Sequence, residues 1–173
     1  MKNSQPFLAL AILASVSVKY ALAFELTLLH VNDIHVKIEE TNKYSSTCKP
    51  RDKEAGQCYG GVARLSQAVK QIKSKEENVL WLNGGDFYQG TVWYTQFKWR
   101  VVSLFNNMLN FDAMTLGNHE FDDKIAGLEP FLRNQSCPVV VTNMNVSLAP
   151  ALAGLTVPSV KIEVGDKRIG IES

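Results

Sequence analysis

Three short stretches carry the residue types that chemistry needs. Asp33-Ile34-His35 puts a carboxylate and an imidazole two residues apart. In an extended segment both side chains point the same way, which suits two ligands on one divalent cation. Gly84-Gly85-Asp86 lets the backbone approach a neighbour closely while one carboxylate projects, although Asp86 also suits a helix or turn cap. Gly117-Asn118-His119-Glu120 offers a neutral carbonyl oxygen from Asn118 and an imidazole from His119, with Asp122 three residues on to orient the ring. A lone D-x-H is a weak signal. Together, these stretches point to a two-metal hydrolase in which one carboxylate bridges cations about 3.5–4 Å apart. His30 lies inside an apolar run and reads instead as a core histidine.

The elements that must hold these residues follow from periodicity. Phe24 to Asn32 reads as a buried strand, and Val79-Leu80-Trp81-Leu82 as a second. Ala113 to Leu116 and Val139 to Thr142 read as a third and a fourth. Between them, Val62, Leu65, Val69 and Ile72 recur at helical spacing after Gly60-Gly61. A second helix is expected from about Lys98 to Leu109, burying Val101, Val102, Phe105, Met108 and Leu109. A third is expected over Asp123 to Arg133, with Ile125, Leu128, Phe131 and Leu132 inward. Ser159 to Ile171 alternates and turns at Gly165-Asp166, the pattern of a hairpin. Strand–helix alternation predicts an α/β domain with a parallel or mixed sheet. In such sheets ligands bind outside the carboxyl ends of the strands, and all three chemical stretches follow predicted strands.

The chain has 173 residues and a formal net charge of +1. Its start has the layout of a secretory signal peptide: Lys2, an apolar run from Phe7 to Val18, and the small-x-small Ala21-Leu22-Ala23. That run is too short to span a bilayer, which takes about 20 residues, and no later segment is long and apolar enough. Cleavage after Ala23 would leave 150 residues and, with Lys2 and Lys19 gone, a net charge of −1. This balance excludes a typical nucleic-acid binder, which carries a basic excess. Secretion would make Asn134 and Asn145, each heading an Asn-x-Ser sequon, glycan acceptors. Cys137 is the odd one of three cysteines.

In order and spacing, the three stretches resemble those of the calcineurin-like metallophosphoesterases. Leu29 through His35, Tyr59 through Arg64, Asp86-Phe87-Tyr88-Gln89-Gly90-Thr91 and Gly117 through Asp122 narrow this to the 5′-nucleotidase/apyrase branch, which includes secreted salivary apyrases. The resemblance implies an α/β fold: the N-terminal portion of a metallophosphoesterase sandwich, with a mixed sheet and flanking helices, truncated. It implies two divalent cations, zinc or another. Asp33 and His35 would bind the first, Asp86 would bridge, and Asn118 would bind the second, while His119 would face the scissile phosphate, paired with Asp122. It also implies a Cys48–Cys58 disulfide, worth roughly 3 kcal/mol on the chain-entropy model. The implied substrate is a nucleotide (ATP, ADP or AMP) attacked by a metal-bound water.

The chain also departs from the family pattern. Val36 and Lys37 stand where the family has a small residue and an Arg, and Lys lacks the forked guanidinium donor. The family supplies further metal-binding His residues from later loops, and a second domain that binds the base. After His119 this sequence has no His. Residues 24–173 are therefore expected to be a partial domain with an incomplete ligand shell. The competing reading is an inactive secreted fragment or a binding or decoy protein.

Overall fold

The computed structural model describes residues 23–173. The leader expected over residues 1–23 lies, up to residue 22, outside the described residues.

In chain order the elements are β1 (Thr27–Val31), β2 (Thr41–Asn42), α1 (Pro50–Glu54), β3 (Cys58–Tyr59), α2 (Val62–Lys73), β4 (Val79–Asn83), α3 (Val92–Phe97), α4 (Trp99–Leu109) and β5 (Ala113–Met114). A 3-10 turn over His119–Phe121 leads into α5 (Lys124–Arg133). A second 3-10 turn at Pro150–Leu152 precedes β6 (Ser159–Val164) and β7 (Lys167–Glu172). The central sheet is parallel with order β1-β4-β5. Val139 extends it by a parallel bridge to Met114, so the expected fourth strand is reduced to bridges. β6 and β7 form the expected hairpin, joined by the two-residue turn Gly165-Asp166 between the Val164–Lys167 pair. The α/β expectation holds.

Alternation along the strands decides what faces the helices. On β4, Trp81 and Asn83 turn towards α4: the Trp81 indole Nε1–H donates to the Leu109 carbonyl at 3.0 Å, and Asn83 Nδ2 donates to Asn106 Oδ1 at 2.7 Å. On β1, Leu29 and Val31 pack against the same core, which gathers residues from α2, α4 and α5 around Trp81, Tyr88 and Phe131. Leu28 and His30 occupy the other face of β1 and are exposed. His30 is thus not a core histidine. An apolar run identifies a strand but not which of its faces is covered.

Two helix stripes also differ from expectation. Met108 is 64% exposed, because α4 is turned so that Val102, Asn106 and Leu109 face the core. The Asn83–Asn106 hydrogen bond fixes that rotation. Ile125 is 38% exposed, while Leu128, Phe131 and Leu132 are buried as expected. Cys48 and Cys58 form a disulfide with Cα atoms 5.8 Å apart, inside a loop stiffened by α1 and the β2–β3 pair.

Candidate metal centre

Because β1, β4 and β5 run parallel, their carboxyl ends share one edge of the sheet, and the loops after them meet there. Two of those loops are zipped together by main-chain hydrogen bonds. Asp33 N–H donates to Gly85 O at 3.0 Å, His35 N–H to Asp86 O at 3.3 Å, and Val36 N–H to Phe87 O at 3.0 Å. Asp33, His35, Val36, Asp86 and Gln89 all adopt positive φ, between 48° and 65°. Such conformations cost on the order of 1–3 kcal/mol each and persist where surrounding structure enforces them. Here the zipper enforces them, together with burial of the Val36 side chain in the core. Val36, where the family has a small residue, thus packs its side chain into the core. Lys37 points its Nζ to the Ser45 carbonyl at 3.4 Å.

Glycines make the close approach possible. A Cβ on Gly117 would stand 2.6 Å from the Asp86 backbone nitrogen, and one on Gly85 would run into the Gly117 backbone. The second and third loops are therefore in backbone contact. They are also clamped by a residue to which its sequence context assigned no role. Glu120 is fully buried, and its carboxylate accepts four main-chain hydrogen bonds. Asp86 and Gly117 donate to Oε2 at 2.9 and 2.6 Å, and Phe87 and Tyr88 donate to Oε1 at 2.8 and 3.1 Å. The only sequence hint was an acid inside the Gly117–Glu120 stretch. Its partners are backbone groups, which leave no signature in residue types.

The resulting site brings four of the expected side chains together. The His35 ring places Nδ1 2.9 Å from the Tyr88 carbonyl. That contact fixes Nδ1 as the protonated nitrogen and leaves the Nε2 lone pair for a ligand, the usual outer support of a metal-bound histidine. Nε2 lies 3.7 Å from Asp33 Oδ1 and 3.6 Å from Asp86 Oδ2. Donors held 2.0–2.2 Å from one tetrahedral cation sit about 3.4 Å apart, so each of these two pairs has the spacing of ligands on a shared divalent ion. Asp86 Oδ1, turned the other way, accepts from the His119 N–H at 2.9 Å. One donor atom from each of His35, Asp86 and His119 lies within 4.8 Å of the others, and the two imidazoles stand edge to face, 5.3 Å apart. Asn118 is exposed at the start of the 3-10 turn, next to His119.

His119 Nδ1 is 2.7 Å from Asp122 Oδ2. Gln89 Nε2 donates to the same oxygen at 2.9 Å, so Asp122 is held from two sides. The Asp122 hydrogen bond raises the His119 pKa above the ordinary histidine value. The same bond, with help from Gln89, holds Asp122 below the usual carboxylate range. The pair therefore favours a protonated imidazole whose Nε2–H is available to an anion. Asn134, Asn145 and the Cys48–Cys58 loop lie on other elements. Cys137 is unpaired among the described residues, and burial pushes its thiol up to about 11, which makes it a poor nucleophile.

Comparison with known proteins agrees with this geometry. The family model described as calcineurin-like phosphoesterase matches residues 26–168. An apyrase of Tabanus yao is 47% identical over 86% of this chain and 26% of its own length. The 5′-nucleotidase of Mus musculus is 46% identical over 87% of this chain and 26% of its own length. The crystal structure of a 5′-nucleotidase precursor from Thermus thermophilus superposes with a TM-score of 0.74 at 34% identity, covering 85% of this chain and 28% of that one. The chain thus spans about a quarter of the length of the curated relatives it matches.

Proposed function

The chain belongs to the calcineurin-like phosphoesterase family, and on that premise we propose that it forms the catalytic edge of a secreted, metal-dependent nucleotide phosphohydrolase of apyrase or 5′-nucleotidase type. Asp33, His35, Asp86 and Asn118 are the residues that would hold the divalent cations. When bound, the cations supply Lewis acidity and a water of lowered pKa. His119 donates from Nε2–H to the phosphoryl oxygens or the leaving oxygen as negative charge develops there. Asp122 keeps the His119 ring in the tautomer and orientation that this requires, and Gln89 steadies Asp122. Tyr88 does the same for His35 through its carbonyl.

The observation that carries this reading is the approach of His35 to Asp33 at 3.7 Å and to Asp86 at 3.6 Å, with the His119–Asp122 pair beside them. Substrates are ATP, ADP or AMP, whose charge the cations offset without a basic protein surface. Residues 1–23 act as a leader and residues 24–173 as part of a larger metallophosphoesterase architecture. The Cys48–Cys58 disulfide supports an oxidising, extracellular destination. Among the described residues, no helix is long and apolar enough to cross a membrane.

The test is phosphate release from ATP, ADP and AMP by the purified protein, with added divalent cation and with chelator. Release is expected only with cation, and His119→Ala is expected to abolish it while leaving the circular dichroism spectrum unchanged. No release from any nucleotide, or turnover unchanged in His119→Ala, would reject the assignment. Cleavage of ADP but not AMP would favour apyrase over nucleotidase.

A further inference from the structure

The face of α4 turned away from the sheet exposes two large apolar side chains. Leu104 and Met108, one turn apart, are 56% and 64% exposed. With Trp99, Arg100 and Asn107 they line an open groove of 470 Å³, within the roughly 300–1,000 Å³ of small-molecule sites. The Arg100 guanidinium lies over the Trp99 ring, 4.9 Å from its centroid.

Asn134, the first residue of the Asn134-Gln135-Ser136 sequon, forms part of the groove wall. Its main-chain carbonyl accepts from Asn107 Nδ2 at 2.7 Å and from Ser103 Oγ at 3.3 Å. Its side-chain Oδ1 accepts from Ser103 Oγ at 3.4 Å. With Oδ1 held against α4, Nδ2 makes no hydrogen bond among the described residues, and Nδ2 is the atom that carries an N-linked sugar. The groove and a glycan attachment point therefore coincide.

We propose that Asn134 carries an N-linked glycan whose first sugar lies in the α4 groove, its apolar ring face on Leu104 and Met108 and its hydroxyls towards Arg100. The proposal rests on the secreted location above, because the donor is a lipid-linked oligosaccharide pyrophosphate of the secretory pathway. The bond formed joins Asn134 Nδ2 to the anomeric carbon. The bond broken joins that carbon to the pyrophosphate oxygen, the lipid pyrophosphate leaves, and the amide proton passes to a base on the transferase. Asn145, in an exposed turn where its Oδ1 accepts from the Ser147 N–H at 2.9 Å, is the internal control.

The experiment is expression of the full chain with its own leader in a secreting eukaryotic cell. Peptide mass spectrometry then maps both sequons, and binding of an apolar-surface dye is measured on the parent, N134Q, S136A and N145Q. We expect Asn134 to be occupied and dye fluorescence to rise in both N134Q and S136A but not in N145Q. Adding L104Q and M108Q to N134Q should remove that rise. Nucleotide hydrolysis should be the same in N134Q as in the parent. A bare Asn134 beside an occupied Asn145 would overturn the proposal while leaving secretion intact. Dye binding unchanged by loss of the glycan would overturn the covering role. A change from monomer to dimer in N134Q would assign the groove to a second copy of the chain and also overturn it. Retention of the chain in the cell with both sequons bare would overturn the secretory reading, and this proposal with it.

Discussion

Glu120→Gln isolates the clamp that joins two of the three ligand loops. The carboxylate uses each oxygen as acceptor for two main-chain N–H groups: Asp86 and Gly117 at one, Phe87 and Tyr88 at the other. The amide keeps the shape but replaces one oxygen with a donor, so two buried N–H groups lose their partner and meet another N–H. Each orphaned buried donor costs about 1–3 kcal/mol, which puts the substitution at roughly 2–6 kcal/mol. Folded domains have about 5–15 kcal/mol in total, so the variant should fold but with a clearly lowered urea midpoint. At a slope near 2 kcal/mol per molar, the midpoint should fall by roughly 1–3 M. Glu129→Gln is the control. Glu129 makes only a partly exposed ion pair with Arg133 at 2.9 Å, and its loss should cost no more than about 0.5 kcal/mol. An E120Q midpoint indistinguishable from that of E129Q would refute the clamp.

Asp122→Asn should lower the titration midpoint of His119 towards about 6.5, followed by NMR on metal-free protein, because the hydrogen bond that raises it loses its charge. An unmoved midpoint would show that Asp122 does not tune the ring. In the parent, the pair contributes stability between the depressed Asp122 pKa and the raised His119 pKa. The contribution is lost as pH rises through the His119 value, and lost again as pH falls through the Asp122 value. Replacing both Cys48 and Cys58 by Ala should cost roughly 2–4 kcal/mol in urea unfolding of the oxidised protein; a loss below about 0.5 kcal/mol would mean that the loop is held by α1 and β2–β3 alone.

How much of this was legible in the sequence depended on the kind of interaction. The strands and their order of loops were visible, because apolar runs and helical periodicity are written in residue types. With parallel pairing, those runs dictate that Asp33, His35, Asp86, Asn118 and His119 share one sheet edge. Glu120 was not legible as a clamp, since burial of a charge against backbone N–H groups depends on where two loops meet. His30 and Met108 were misassigned for a related reason: a strand or helix pattern shows that an element has an apolar side, not which side finds a partner. The helix expected from about Lys98 begins where α4 does, while the short α3 before it was not read from the sequence; Lys98, at φ 53°, separates the two.

Convergence of the loops after β1 and β4 on a divalent cation is the central claim. Isothermal titration of the metal-free chain with Zn²⁺ or Mn²⁺, in parallel on His35→Ala and Asp86→Asn, tests it most directly. The parent should bind the cation, and each variant should lose that binding while keeping its fold. A parent that binds no cation, or variants that bind as the parent does, would contradict it.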